Sequence, residues 1–468
     1  MRIPTSQTDS LFDTRSSGVV CFGWALSDGF WLRLAGRWCP FDGIVLIYRG
    51  LAAALALGSL FISAPSRCAA SETVLTVFAG GPGQRPDVLR KILDLYQRVH
   101  PGLVVHVNTG ASTSEAQRQY LSTLLSAGDD TYDALLIDVV NPAEYAAAGW
   151  LEPLDAYLGA DAAPTLDAYL PVEREITRAG GHIVGLPWVT DAQFLYYRSD
   201  LLAKYGLNVP ETWSALAEEA KVIVEGEKDT SLYGLSIQGA PIEGTVCTFL
   251  LPYWSRGREF LDQDGHLALD RAVATDGLKL WRDLLDRGIL RKDTAETKTG
   301  DTTNEFKAGN VAFAVNWGFA WGVSQFAPDS VVKGRVGIAR MPSVTAGQHV
   351  SAVGGWLWAV SAFSRHKPEA VSLIRYLTSR PQLKVLDLET AQLPTRGDLY
   401  ADPDLLARFP WLRDAYPIVL AAKRRPVTAR YSELSDVVRV ATSSVLGGSL
   451  SPEQGVDEIE NGLRRVLR

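Results

Sequence analysis

Methionine is nearly missing from this chain: of 468 residues only Met1 and Met341 carry it. Cysteine is almost as scarce, at four. That count excludes a disulfide framework and leaves no Cys-based zinc set. Excess positive charge is lacking too, with 46 Lys and Arg against 53 Asp and Glu and a net charge of −7. A non-specific nucleic-acid binder needs a basic face, so that class is excluded. Internal repeats and low-complexity tracts are also missing. What is present is a globular composition, 47% apolar and 21% charged, with 13 Trp and 16 Tyr. A chain of this length exceeds one small core and divides naturally into two lobes.

The first 70 residues read as a leader. Residues 51–64, LAAALALGSLFISA, form an apolar run of 14, short of the ~20 residues of a membrane-spanning helix. Arg49 before it and Cys68, Ala69 and Ala70 after it complete the pattern of a secretory signal peptide, with cleavage expected after Ala70. A lipid-bearing Cys68 is the alternative, disfavoured by Arg67 directly before it. Residues 1–48 carry Trp24, Trp31 and Trp38 with no helical or strand period, as a translation start set too far upstream would give. Removal of residues 1–70 takes away six Arg, four Asp and three Cys, leaving a charge of −9 and Cys247 alone. The expected compartment is extracytoplasmic, a bacterial periplasm, with stability drawn from core burial rather than disulfides.

Beyond the leader, strand and helix alternate. Val74 to Ala79 reads as a buried strand, Gly80 to Gly83 as a turn, and Val88 to Val99 as an amphipathic helix with Val88, Ile92, Leu95 and Val99 on one face. Strands at Leu103 to Val107 and Ala134 to Ile137 flank a helix over Ser114 to Leu125. This βαβαβ order predicts a parallel sheet with ligand sites at the carboxyl ends of its strands, where Gly80–Gly83 and Asp138 fall. Separate strands are expected at residues 183–187 and 194–198, helices over 211–224 and 273–285, and a helix end, turn and strand over 306–315. The last hundred residues read as mostly helical, at about 367–379, 381–389, 411–423, 431–446 and 452–466.

Several motifs are set aside. GGPGQRP from Gly81 follows a strand and opens a helix, but Pro86 takes the third glycine position and no GK[ST] follows, so it is a tight turn with free backbone N–H groups rather than a phosphate loop. The six His show no metal-ligand spacing, and no cofactor is expected. Lys298-Thr299-Gly300 matches a penicillin-site triplet, but Ser364 to Lys367 comes in the wrong chain order to be its partner.

What remains is a set suited to a sugar. Carboxylates accept hydroxyl hydrogen bonds strongly, and aromatic faces cover sugar C–H surfaces. Asp138, Asp191, Glu243, Trp317, Trp321, Trp356, Trp358 and Arg425 recur at strand ends and junctions. Three have a plainer reading: Trp321 and Trp358 as core, and Asp138 as a cap for a helix starting near Pro142.

The blocks YDALLIDVVNPAEYAAAGWLEPLD (Tyr132 to Asp155), GLPWVTDAQFLYYRSDLL (Gly185 to Leu202), PETW (Pro210 to Trp213), FKAGNVAFAVNWGFAW (Phe306 to Trp321), VGGWLWAV (Val353 to Val360) and LPTRGDLY (Leu393 to Tyr400) follow one another in an order that resembles the extracellular solute-binding proteins of carbohydrate ABC importers, nearest their trehalose/maltose-binding branch. The resemblance implies an α/β fold of two lobes, the periplasmic-binding-protein type II or maltose-binding-like arrangement, with three hinge crossovers near residues 190, 356 and 424. The first lobe would hold 72–190 and 357–423, the second 191–356 and 424–468. It also implies ligand contacts at Gly81 and Gln84 on the first loop and at Asp138. Asp191 stands where relatives often have Asn. Glu243 belongs to a polar-Glu-Gly segment, and Trp317 matches a stacking aromatic. Gly354, Gly355 and Trp356 match a crossover in which Leu is frequent at the last position, and Arg425 would reach the ligand from the last crossover.

The expected partners are a sugar ligand and membrane permease subunits served by a cytoplasmic ATPase, with the chain itself a monomer. Two other classes remain open at this point. A glycoside hydrolase would use two carboxylates ~5–9 Å apart across a cleft. A binder of glycerol phosphate esters would need a basic anion site, for which Lys423, Arg424 and Arg425 are thin.

Overall fold

The computed structural model describes residues 72–468; the leader expected at 1–70 lies outside them. The first three strands are β1 (Thr73–Phe78), β2 (Leu103–Asn108) and β3 (Ala134–Asp138). β1 pairs in parallel with both β2 and β3. The helices Pro86–Val99 and Ser114–Ser126 make the crossovers, as the alternating pattern predicts. β4 (Arg178–Ala179) and β5 (His182–Ile183) form a small hairpin. β6 (Leu186–Arg198) is the long central strand, β7 is Tyr233–Ser236, β8 is Val311–Trp317, β9 is Val336–Ala339 and β10 is Val353–Val360.

β6 is continuous over 13 residues, where two separate strands were expected. Its first half pairs antiparallel with β10, which in turn pairs with β3. From Gln193 onward it pairs with β8 and β9, and β8 carries β7 in parallel. One strand thus completes the sheet of both α/β lobes. The polar stretch Thr190 to Gln193 does not break it, because a strand passing between two lobes has polar surroundings at its midpoint and apolar layers at its ends.

The cores follow from these layers. Leu75, Val77, Leu89, Ile92, Leu136 and Trp358 pack around the first sheet, and Trp213, Leu216, Leu235, Trp281 and Phe313 around the second. A third cluster joins the helices Glu243–Trp254, Arg271–Asp286, Tyr431–Leu446 and Pro452–Val466. Each fully buried Val, Leu, Phe or Met side chain contributes roughly 1.5–3 kcal/mol, so these layers supply the stability expected without disulfides. Cys247 is buried and free, and burial pushes its thiol up to about 12. Among the described residues no helix is long and apolar enough to cross a membrane.

The helix boundaries have local causes. Thr212 Oγ1 accepts the Ala215 N–H at 3.1 Å, so the PETW helix starts at Trp213, two residues later than expected. Asp270 Oδ1 caps the Arg271–Asp286 helix through Val273 N at 3.2 Å. Lys298, of the discarded penicillin-like triplet, precedes the Thr299–Lys307 helix, its N–H bonded to Asp301.

Candidate functional site

Asp138 ends β3 and stands opposite Trp356 of β10. Its Oδ2 accepts the Ser114 hydroxyl at 2.6 Å. Its Oδ1 accepts the Val140 N–H at 3.2 Å and Arg425 Nη2 at 3.2 Å. It therefore folds its own turn; the Pro142–Ala147 helix has no side-chain cap, and the capping alternative does not hold. Arg425 reaches on with Nη1 to Glu243 Oε1 at 2.8 Å.

Glu243 opens the Glu243–Trp254 helix and is the most heavily bonded carboxylate of the group. Oε1 also accepts the Tyr431 hydroxyl. Oε2 accepts Arg118 Nη1 at 3.2 Å and the Ser435 hydroxyl at 2.7 Å. Arg118 lies 5.8 Å from the Tyr431 ring centroid and Arg425 5.9 Å from that of Trp317, within cation–π range. Burial opposes the charge of Glu243, but Arg425, Arg118 and the two hydroxyls hold its carboxyl below the ordinary range. Burial also works against Arg425, and the neighbouring anions, Asp138 foremost, keep it charged. Two anions and two cations thus balance in a buried cluster where unpaired charges would be costly.

The glycines of the crossover are explained by their neighbours. A Cβ on Gly354 would stand 2.6 Å from the Trp317 ring. Gly355 has φ +134, and a Cβ there would meet the Val189 carbonyl oxygen at 2.3 Å. Trp356 is half-buried beside Asp138. Asp191 pairs with Gly354 in the sheet, and its Oδ1 accepts the Ala192 N–H at 2.8 Å and the Gly318 N–H at 2.5 Å. Burial pushes its carboxyl up to about 7.

Gly81 and Gln84 lie one step outward. The Gly81 N–H is not free as expected, because Gln84 Oε1 accepts it at 2.6 Å. The same oxygen accepts Gln117 Nε2 at 3.3 Å, which ties this loop to the helix that carries Ser114 and Arg118. Asp138, Glu243 and Trp317 are therefore each joined to Arg425, Gly354, Gly355, Trp356 and Asp191 line up along the shared strands, and Gln117 bonds the Gly81–Gln84 loop to the helix Ser114–Ser126. Trp358 is core, set edge-to-face on Trp188 with centroids 6.1 Å apart. Trp321 stacks on Trp411 at 4.9 Å and 18°.

Arg118, Ser114, Tyr431 and Ser435 were not among the expected residues. Arg118 had a signal in the sequence: it precedes Leu121 and Leu125 by three and seven positions, which puts a charge on the inward face of an amphipathic helix. A groove of about 570 Å³ flanks the last crossover between Pro171, Trp254 and Lys423; Arg425 lines it, but Asp138 and Trp317 do not. Asp262, Asp264 and His266 gather on an exposed turn, where Asp262 Oδ1 accepts the backbone N–H groups of Asp264 at 2.9 Å and His266 at 2.8 Å.

Two α/β lobes that share a strand and enclose polar side chains at their junction define a clamp-type binding protein. The chain belongs to the bacterial extracellular solute-binding protein family, whose pattern matches residues 82–384. A "Probable ABC transporter-binding protein" of Deinococcus radiodurans is 30% identical, over 89% of this chain and 98% of that one. The mannitol-binding protein of Pseudomonas aeruginosa is 27% identical, over 68% of this chain and 73% of its own length. Among solved structures, maltose-bound T. maritima MalE3 is 32% identical with a TM-score of 0.78, over 84% of this chain and 99% of that one. The family binds solutes and is not enzymatic, so the paired carboxylates are not a hydrolase site.

Proposed function

We propose that this chain is the extracytoplasmic substrate-binding component of a sugar ABC importer, that it captures a disaccharide such as trehalose or maltose, and that it delivers it to membrane permease subunits. The observation that carries this reading is Arg425. Its Nε is buried without a partner, beside the Trp317 ring and between the carboxylates of Asp138 and Glu243. An orphaned buried donor is costly unless something satisfies it, and a sugar hydroxyl supplies an acceptor where the ring takes the C–H face. The balanced charge of the cluster suits a neutral ligand better than a phosphate ester. The maltose and mannitol of the similar proteins point the same way.

The lobes would divide at the crossovers near 190, 356 and 424. Asp138 and Gln84 would hold the sugar from the first lobe and Trp317 from the second, with Asp191, Gly81, Gly354, Gly355 and Trp356 shaping the floor between them. Closure needs contacts from both lobes, because a ligand shifts an equilibrium only by its differential affinity for the two states. The protein acts as a monomer in the periplasm, exported by the signal peptide within residues 1–70.

Calorimetric titration of residues 71–468 with trehalose, maltose and sucrose, with Trp fluorescence in parallel, tests this. Micromolar or tighter binding, lost in Asp138→Ala and Trp317→Ala, is expected. Silence to all three would sink the disaccharide assignment and turn the search to polyols and longer glycans.

A further inference from the structure

Asp138 and Glu243 look equivalent in the sequence, yet their bonding differs. A carboxylate offers about four lone-pair sites. Asp138 uses three of them, for Ser114, Val140 and Arg425, and keeps one on Oδ2. Glu243 has two donors on each oxygen: Arg425 and Tyr431 on Oε1, Arg118 and Ser435 on Oε2. It has no site left for a sugar hydroxyl.

The four donors also come from different parts of the fold. Arg118 is carried by the helix Ser114–Ser126, which joins β2 to β3 of the first sheet. Tyr431 and Ser435 are carried by the helix Tyr431–Leu446, which packs against the Glu243–Trp254 helix. Arg425 lies on the segment that runs beside the start of β10, where Lys423 bridges Ala352. The Glu243 backbone N–H, in turn, donates to Glu115 Oε2 at 3.3 Å, on the same helix as Arg118. Its neighbour Gly244 fixes this helix start, since a Cβ there would fall 1.6 Å from Gln238 Oε1.

We propose that Glu243 is a positioning residue that touches no sugar: it holds Arg425 against Asp138 and over the Trp317 ring, and through Arg118 it ties the second lobe to the first. The affinity readout of this proposal rests on the sugar-binding reading; a second readout does not.

The test compares Glu243→Gln, Arg118→Met and the double variant by calorimetry with maltose, trehalose and mannitol. A positioning residue predicts that each single substitution weakens every sugar that binds by a similar factor, about tenfold, with the order of preference kept. It also predicts that the double variant loses no more than the weaker single variant, because both cut one network. A changed order of preference in Glu243→Gln alone, or losses that multiply, would overturn the proposal. Should Glu243→Gln fail to fold, Ser435→Ala, which removes one donor and no charge, takes its place against Arg118→Met.

Small-angle X-ray scattering of the sugar-free proteins supplies the second readout. Both single variants are expected to have a larger radius of gyration than the parent, by the same amount. Were the parent to bind none of the three sugars, the disaccharide reading would fail, and the scattering alone would decide: unchanged radii would overturn the role given to Glu243.

Discussion

Two sets of buried carboxyls, Asp138 and Glu243 in one and Glu173 and Asp191 in the other, are handled in opposite ways. At the cleft, Asp138 and Glu243 are neutralised by Arg425, and Glu243 by Arg118 as well. On the shared strand β6 and beside it, Asp191 and Glu173 have no such partner. Glu173 accepts the Thr190 hydroxyl at 2.5 Å through Oε1 and leaves Oε2 buried and unpartnered. Burial pushes it up to about 8, and Asp191 to about 7. The first set is paired with arginines by geometry, and in the second, with no arginine in salt-bridge distance, burial raises the carboxyls' affinity for a proton. A paired cation favours the ionised carboxyl, whereas burial without one favours the protonated form.

The strongest way to break this contrast is Arg425→Met. It strands Asp138 and leaves Glu243 with Arg118 as its one cation, and loss of one partner from a buried pair costs roughly 3–5 kcal/mol. Urea unfolding of the sugar-free protein should show that loss, and a cost under 1 kcal/mol would mean that the cleft charges are not interdependent. Gly355→Ala comes next. Its φ of +134 and the Val189 carbonyl at 2.3 Å should cost about 2–3 kcal/mol. Gly83→Ala, which meets nothing within 4 Å, should stay within about 0.5 kcal/mol and serves as its control.

Glu173 sharpens the other side of the comparison. A carboxyl whose folded pKa lies above its unfolded value binds its proton more tightly in the native state. Its stabilising contribution is therefore full below the ordinary 4.5 and falls as pH rises toward about 8. Glu173→Gln should flatten that part of the stability-against-pH curve, whereas a steeper fall in the variant would contradict a neutral Glu173. A smaller loss than at Arg425 or Gly355 is expected at Glu144, which accepts the Ser432 N–H at 3.0 Å and its hydroxyl at 2.7 Å where the Tyr431–Leu446 helix begins. Glu144→Ala should cost about 1 kcal/mol in the same urea measurement.

Much of the fold was legible because its elements have clear periods. The helix Pro86–Val99 was placed by its period, although Leu95 and Val99, expected on its inward face, are exposed and Leu89, Leu93 and Tyr96 join Val88 and Ile92 in the core; βαβαβ showed by alternation, and of the C-terminal helices only Pro403–Arg408 was not expected. The Glu243–Trp254 helix went unread for a physical reason: every residue in it is buried, so it has no polar face and no period. β6 was split in two because its midpoint is polar, and only the partner strands on either side explain why it continues. At the site, the glycines and Asp138 could be placed from turns and strand ends. Arg118 required the inference that a charge on an apolar face must have an anion to meet.

The sequence by itself determined the local matters: where most strands and helices lie, where the chain turns, and which family the order of its blocks resembles. These depend on neighbours within a few residues. It did not determine which carboxylate would meet which arginine. Arg118 and Glu243 are 125 positions apart, and Asp138 and Arg425 are 287. Only the packing of two lobes along one strand brings those pairs within hydrogen-bonding distance, and the count of donors on each oxygen, three on Asp138 and four on Glu243, is a property of that packing alone.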